Sequence, residues 1–179
     1  MIQTKEQLKQ VLRIEEGIYK KKWYYHLPIM LTEKQVLYKH AFFLRKAEYA
    51  ANTRKLSRYW YLVRLLRIQT RYGISIPLNV LEEGFEMVHL GSVIINAKAK
   101  IGKYARLHPG VCIGANHDKA PVIGDYVYIG PGAKVFGDIS LANHVQVGAN
   151  AVVTKSCEEE GAVLVGVPAS VVGKQEEKG

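Results

Sequence analysis

The chain has 179 residues, of which 48% are apolar and 23% charged, as in an ordinary soluble globular protein. It contains no apolar run of the roughly 20 residues that a membrane-spanning helix needs, and its first residues lack the apolar stretch of a signal peptide. These features predict a cytoplasmic protein. Cys112 and Cys157 have neither metal nor redox spacing, so we expect reduced thiols.

The net charge of +9 is distributed unevenly along the chain. Residues 1–72 hold 16 Lys and Arg against 5 Asp and Glu, whereas residues 73–179 hold 9 against 11. No nucleic-acid motif accompanies the basic half, so we favour a solvated helical face that also contacts partner subunits, and no nucleic-acid partner. A membrane surface or an acidic substrate is the alternative.

Residues 1–72 have the pattern of helices. Thr4 to Gln7 and Thr32 to Gln35 both have the form of a capping box at a helix start. Pro28 predicts a break between the first two helices, and Gly73 predicts the end of a third. The third segment groups its apolar residues on one face, at Leu56, Trp60, Val63 and Leu66.

After Gly73 the apolar period changes to six. The aliphatic anchors are Ile95, Ile101, Leu107 and Ile113, then Ile123, Ile129, Val135, Leu141, Val147 and Val153. Small or branched residues lie four places after most anchors, and glycine often follows the anchor directly, where we expect a tight corner that needs an unusual φ. A period of six predicts a triangular solenoid with three short strands per coil, and residues 75–153 give about four coils.

The repeat is interrupted once. Ile113 and Ile123 are ten residues apart, so four extra residues lie within 114–122. An insertion in a solenoid forms an external loop, often on the functional face. A softer slip occurs near residues 89–95.

The hexads, the interrupting loop and the closing Gly166-Val167-Pro168-Ala169 resemble the hexapeptide-repeat acyltransferases, and most of all their serine acetyltransferase branch of the polysaccharide-biosynthesis type. The resemblance implies a left-handed parallel β-helix over residues 73–174 that follows an N-terminal helical region at 1–72 and precedes a polar tail at 175–179. It also implies acetyl-CoA as co-substrate, no metal, and a homotrimer with active sites between neighbouring solenoids.

The resemblance further implies histidine general-base catalysis on an acceptor hydroxyl. His117 matches the loop histidine of the family and His89 matches its upstream histidine. Which of the two is the base stays open, and the two can meet across a subunit interface. Asn116 and Asp118 flank His117 and are assigned to the acceptor pocket together with Val88.

The cofactor contacts come from the same resemblance. Lys155 and Lys174 are assigned to the CoA phosphates, which Lys binds as a point charge. The full cofactor set is Gly132, Ala133, Ala149, Thr154, Lys155 and Lys174.

Three positions depart from the serine acetyltransferase pattern. The aspartate that pairs with the upstream histidine falls at Ile74, and the charged residues that hold serine are replaced by Val88 and Asn116. A zwitterionic amino acid needs charged partners in a pocket. We therefore favour a sugar or polysaccharide-precursor hydroxyl as the acceptor, with serine O-acetylation as the alternative.

Two other classes remain as rivals. A γ-type carbonic anhydrase shares the solenoid and binds zinc through three histidines, but the close pair of loop histidines that this family has is missing here. A non-catalytic scaffold is possible if the basic helices, with Lys20–Lys22 ahead of Trp23, dock on acidic partners or on a membrane. The retained His117 and the Gly-Val-Pro-Ala segment argue against a scaffold.

Overall fold

The computed structural model describes residues 1–27, 29 and 32–174. Its helices are α1 (Lys5–Ile18), a short 3-10 helix (Trp23–His26), α2 (Glu33–Asn52) and α3 (Ser57–Tyr72). Its strands are β1 (Ile74–Ser75), β2 (Glu86–Met87), β3 (Val93–Ile95), β4 (Lys100–Ile101), β5 (Arg106–Leu107), β6 (Val111–Gly114), β7 (Val122–Ile123), β8 (Tyr128–Ile129), β9 (Lys134–Phe136), β10 (Ser140–Leu141), β11 (Gln146–Val147), β12 (Val152–Val153), β13 (Ala162–Gly166) and β14 (Ala169–Lys174). The break predicted at Pro28 and the tail predicted at 175–179 lie outside the described residues.

The helix ends follow the predicted signals. Thr4 closes a capping box with Gln7 at the start of α1, and the Thr32 hydroxyl accepts the backbone N–H of Gln35 at the start of α2. Gly73 ends α3 with φ +69, a left-handed conformation that favours glycine. None of the described helices is both long and apolar enough to cross a bilayer.

The apolar face predicted on α3 exists, but it does not face the core. Leu56 and Leu66 are 84% and 58% exposed, and Trp60 and Val63 are also exposed. The residues of α3 that are buried are Leu65 and Ile68.

The strands form the three sides of a prism. Sheet A runs β1-β3-β6-β9-β12, sheet B runs β4-β7-β10, and sheet C runs β2-β5-β8-β11-β13-β14. Pairing is parallel throughout, except between β13 and β14, which are antiparallel. Each coil contributes one strand to each sheet in turn. This is the predicted left-handed parallel β-helix with N-terminal helices.

The hexad register is confirmed inside the prism. All ten predicted anchors are buried, from Ile95 at 3% exposed to Val153 at 2%. The described residues complete about five turns instead of four, because β12, the bridge from Leu141 to Cys157 and β13 form a turn that ends beyond residue 153. The first turn runs from Ile74 to Met87, ahead of the regular repeat. In that coil Leu81 and Met87 take the anchor positions, and both are buried.

We predicted that glycine follows the anchors because a tight corner there needs an unusual φ, and this reason is wrong. Gly102, Gly124 and Gly130 do not have φ in the left-handed region. A Cβ on Gly130 would lie 2.8 Å from the carbonyl oxygen of Val147 in the next coil. Glycine is needed there because the coils approach closely, while positive φ occurs two residues later, as at Tyr126 with φ 56.

Side chains of the helices bond to the first coil. Arg45 donates to the carbonyl oxygens of Leu81 at 2.8 Å and Glu82 at 2.5 Å. Glu48 accepts the backbone N–H of Asn79 at 2.8 Å. These backbone groups, which would otherwise pair with a preceding coil, are therefore satisfied by α2.

The same arrangement continues on the other sides of the prism. The Tyr19 hydroxyl accepts the N–H of Met87 at 3.0 Å, and burial raises the pKa of Tyr19 well above its usual range. The Gln69 amide donates to the carbonyl oxygen of Ile76 at 2.9 Å. Apolar contacts between the helices and the first coil make their cores continuous.

Candidate functional site

The edges of the prism carry the predicted site residues. We name each edge by the two sheets that it joins in chain order: CA, AB and BC. The CA edge carries the residues between β2 and β3 and between β8 and β9, and the AB edge carries the loop between β6 and β7. The BC edge carries the residues between β4 and β5 and between β7 and β8.

The CA edge holds five of the predicted residues, Val88, His89, Gly132, Ala133 and Ala149. The backbone N–H of Val88 donates to the carbonyl of Leu107, so Val88 belongs to the ladder of sheet C. Ala133 is fully buried, while His89 and Ala149 are exposed.

The AB edge holds the predicted loop. Asn116 and Lys119 exchange backbone hydrogen bonds of 3.0 and 3.2 Å, which makes His117 and Asp118 the tip of a tight turn. His117 adopts φ 52, and the tip is exposed. The insertion therefore presents an imidazole on the surface of the solenoid, as predicted for an external loop.

Two exposed ion pairs link this loop to the neighbouring coils. The Asp118 carboxylate lies 2.7 Å from Lys98 Nζ, and Lys119 Nζ lies 2.5 Å from Asp138. Because the Asp118 carboxylate faces Lys98, its predicted part in orienting His117 stays a prediction.

The predicted phosphate ligands lie on different edges of one chain. Thr154 and Lys155 follow β12 on the AB edge, and both are exposed. Lys174 pairs with Ala162 at the start of β13, and its side chain lies beside Gly161 on the BC edge. A ligand that contacts both lysines within one chain would have to reach from one edge to the other.

His89 has polar neighbours that sequence reasoning missed. Its Nδ1 lies 3.5 Å from Glu33 Oε2, and Glu33 Oε1 accepts the N–H of Leu90 at 2.7 Å. The ring centroid of His108 also lies 6.4 Å from that of His89, and the ring centroids of His108 and Tyr128 are 4.9 Å apart. The row of side chains runs from α2 across the first three strands of sheet C.

Burial lowers the pKa of His108, and the nearby positive charge of Arg106 lowers it further. Arg106 is itself paired with Glu86 at 2.8 Å. Protonation of the imidazole next to His89 is therefore disfavoured. A capping signal marked Glu33 as the start of a helix, but nothing in the sequence indicated a contact with residue 89.

The histidines considered as zinc ligands lie on all three edges. His89 and His108 lie on the CA edge, His117 lies on the AB edge, and His144 stacks on Tyr126 on the BC edge. Among the residues that the structure describes, no three His, Cys, Asp or Glu side chains come close enough to hold a metal ion.

One chain does not bring the two predicted catalytic histidines together. His89 lies on one side of sheet A and His117 on the other, so the strands of that sheet separate them. A site that uses both histidines needs a second copy, whose AB edge lies against the CA edge of the first.

The comparisons with known proteins agree with this architecture. Residues 120–155 match the family described as bacterial transferase hexapeptide (six repeats). The structure superposes on soybean serine acetyltransferase complexed with serine with a TM-score of 0.72, at 23% identity, over 93% of this chain and 70% of that one. It superposes on a serine acetyltransferase in complex with CoA with a TM-score of 0.71, at 19% identity, over 94% of this chain and 71% of that one. At these identities the likeness concerns the fold.

The sequence relatives cover the chain to different extents. The chain is 38% identical to the serine acetyltransferase of Mycobacterium tuberculosis over 92 residues, which are 49% of this chain and only 40% of that protein. It is 30% identical to the serine acetyltransferase of Helicobacter pylori over 142 residues, which are 75% of this chain and 81% of that protein. On this match, the chain belongs to the serine acetyltransferase family of hexapeptide-repeat transferases.

Proposed function

We propose that the chain is an O-acetyltransferase that moves the acetyl group of acetyl-CoA to the hydroxyl of L-serine. The observation that carries this proposal is the match to the Helicobacter pylori serine acetyltransferase along 81% of that protein. The solenoid's likeness to serine acetyltransferase structures that contain CoA or serine supports the same donor and acceptor. These findings favour serine over the sugar hydroxyl that Val88 and Asn116 suggested.

The reaction needs a base, an electrophile and a proton for the leaving group. A histidine on one of the two edges removes the proton of the acceptor hydroxyl as its oxygen attacks the thioester carbonyl. Backbone N–H groups stabilise the oxyanion that forms. The carbon–sulfur bond then breaks, the imidazolium returns the proton to the thiolate, and O-acetylserine and CoA leave.

A homotrimer would supply the second copy that a site with both histidines needs. Cyclic assembly places the same two edges together at each interface, so every subunit gives His89 to one site and His117 to the next. Exposed aliphatic residues on the outer faces of the sheets, Ile94 and Val122, are 46% and 51% exposed in the single chain and give these faces apolar surface to bury.

Position 88 and position 116 carry no charge in this chain. A serine site here must hold the ammonium and carboxylate with other groups. The Michaelis constant for serine is therefore the quantity most sensitive to this departure.

The test is release of the free CoA thiol from acetyl-CoA, measured in parallel with L-serine and with a panel of sugars and nucleotide sugars. Turnover with serine, and O-acetylserine identified by mass spectrometry, is the expected result. Turnover with a sugar and none with serine overturns the proposed acceptor. Loss of turnover in His117→Ala, with acetyl-CoA binding retained, ties the activity to the AB edge.

A further inference from the structure

A carboxylate reaches His89 from a part of the chain that lies far away in sequence. Glu33 is the first residue of α2, and Thr32 caps that helix. The contact between Glu33 Oε2 and His89 Nδ1 spans 3.5 Å. Position 74, where the resemblance places an aspartate partner for this histidine, holds a buried isoleucine.

The two oxygens of Glu33 have different partners. Oε1 accepts the N–H of Leu90 at 2.7 Å, which fixes the carboxylate against the turn that follows His89. Oε2 is thereby directed towards the imidazole. The position at a helix start favours a negative charge, because the first N–H groups of a helix point towards it.

We infer that Glu33 is the positioning residue of His89, and that it holds the imidazole with its proton on Nδ1 so that Nε2 can accept the proton of the substrate hydroxyl. This inference rests on the proposed function, and it makes His89 the base. A histidine has two ring nitrogens, and the hydrogen bond made by one decides the protonation of the other. Bonds of this kind are often long before the substrate binds and shorten in the reactive complex.

A second imidazole also contacts His89, whose side chain is 61% exposed in the single chain. His108 lies edge-on to His89, with ring centroids 6.4 Å apart and an interplanar angle of 61°. Since burial and Arg106 both lower the pKa of His108, a second positive charge on this neighbour is disfavoured when His89 takes up a proton. Glu33 is the acid that faces the ring from the helical side.

The discriminating variant is Glu33→Gln. If its carbonyl oxygen keeps the N–H of Leu90, its NH₂ group faces His89 Nδ1 and donates to it. The proton of the neutral imidazole then moves to Nε2, which is the wrong nitrogen for a base. We expect kcat to fall roughly tenfold or more, and by less than in His89→Ala, for which the loss is on the order of 10²–10⁴-fold. The Michaelis constant for acetyl-CoA should not change.

The matched control is Glu6→Gln, which replaces a glutamate in the first turn of α1, likewise behind a threonine cap. This variant should keep the native kcat. A fall in kcat of the same size in both variants would mean that helix starts in general, and not the contact with His89, account for the loss.

A second readout does not depend on turnover. The ¹⁵N chemical shifts of the His89 imidazole, recorded where the ring is neutral and assigned by comparison with His89→Ala, report which nitrogen is protonated. We expect Nδ1–H in the native protein and Nε2–H in Glu33→Gln. The same tautomer in both proteins, with kcat within about twofold, overturns the inference. If the native protein acetylates none of the acceptors, the proposed function fails, while the tautomer comparison still decides whether Glu33 positions His89.

Discussion

His40 lies in α2 with its ring fully buried, edge-on to Phe85 and with Nε2 3.3 Å from the Gln69 amide. Its Nδ1 has no hydrogen-bond partner in the described structure. Burial lowers the pKa of His40 to about 3, and the positive charge of Arg45 acts in the same direction. The folded protein therefore keeps this ring neutral in solutions where an unfolded chain would protonate it.

This difference makes folding sensitive to acid. The lowered pKa means that the unfolded chain binds the extra proton first, so the stability contribution is complete above about pH 6.5 and is lost as the pH falls towards about 3. The expected slope is at most about 1.4 kcal/mol per pH unit for this one group. Urea unfolding measured at a series of pH values tests it.

His40→Gln is the comparison variant, because glutamine keeps a polar contact with Gln69 but does not titrate. Its unfolding free energy should vary less with pH between about 6.5 and 3 than that of the native protein. Identical profiles for the two proteins would show that other groups cause the acid sensitivity.

Single residues also show where sequence reasoning ends. His117 stood out because it lies where the six-residue repeat is interrupted, and His89 because it matches the upstream histidine of the family that the sequence resembles. Glu33 did not stand out, because its partner Leu90 lies 57 residues away and the contact depends on how α2 packs on the first coil. A local pattern carries no information about such a contact.

Within the solenoid, the spacing between coils sets the tolerance for side chains. A Cβ on Gly130 would lie 2.8–3.0 Å from backbone atoms of Val147, Gly148 and Ala149, and backbone cannot turn aside as a flexible side chain can. Gly130→Ala should therefore lower the free energy of unfolding by about 1–3 kcal/mol, as overpacking does in other cores. Thermal or urea unfolding measures the change.

Gly173→Ala is the control, since a Cβ there would meet no atom within 4 Å and the φ is not left-handed. It should leave stability within about 0.5 kcal/mol of the native value. If Gly130→Ala were equally mild, the coils could separate more easily than their stacking suggests.

The joint between helices and solenoid depends on Arg45. Its guanidinium contacts Glu15 at 2.8 Å and Glu48 at 2.9 Å and also bonds two backbone carbonyls of the first coil. Burial raises the pKa of Glu15 to about 7 in spite of this pairing, and one of its oxygens has no partner in the described residues. Without the arginine, the buried carboxylates of Glu15 and Glu48 would lose their positively charged partner.

Arg45→Met should destabilise the fold by about 3–5 kcal/mol, because it leaves buried carboxylates and carbonyls without their donor. Urea unfolding measures the loss, and Arg67→Met, at an exposed position of α3, is the control that should change little. Equal effects of the two variants would contradict a special role for the buried cluster.

Element by element, the sequence predicted the regular coils better than the helical layer. A six-residue period specifies which side chains face the prism axis, and every anchor that it indicated is buried. In α3 the sequence shows apolar residues on more than one side, and leucine at 65 and leucine at 66 cannot be told apart by type, although one is 4% and the other 58% exposed. Packing against α2 decides which of the two leucines is buried. The sequence of α3 alone carries no information about that packing.

On the scale of the assembly, a site shared between two edges can be tested by mixing. His89→Ala and His117→Ala should each be inactive, because each removes one histidine from every site. If the variants are dissociated together and reassembled, random trimers contain interfaces with both native histidines, and roughly a quarter of native activity should return. The thiol-release assay measures the recovery.

The mass of the assembly, measured by light scattering, should be about three times the chain mass of 20.1 kDa. No recovery of activity after complete reassembly would mean that one chain supplies both histidines or that only one of them takes part. A double variant mixed with native protein controls for simple dilution.

The two ends of the coil stack differ in a way that limits growth. An open end of a parallel solenoid exposes unpaired backbone that matches the opposite end of another molecule, and such ends can add to one another into a fibre. Here side chains of the helices occupy the backbone groups at one end, and the last strand, β14, runs against the direction of the others at the far end. Such ends disfavour end-to-end addition of copies. We therefore expect copies of this chain to associate through the flanks of the prism, where the proposed trimer has its interfaces, and not to grow into a fibre.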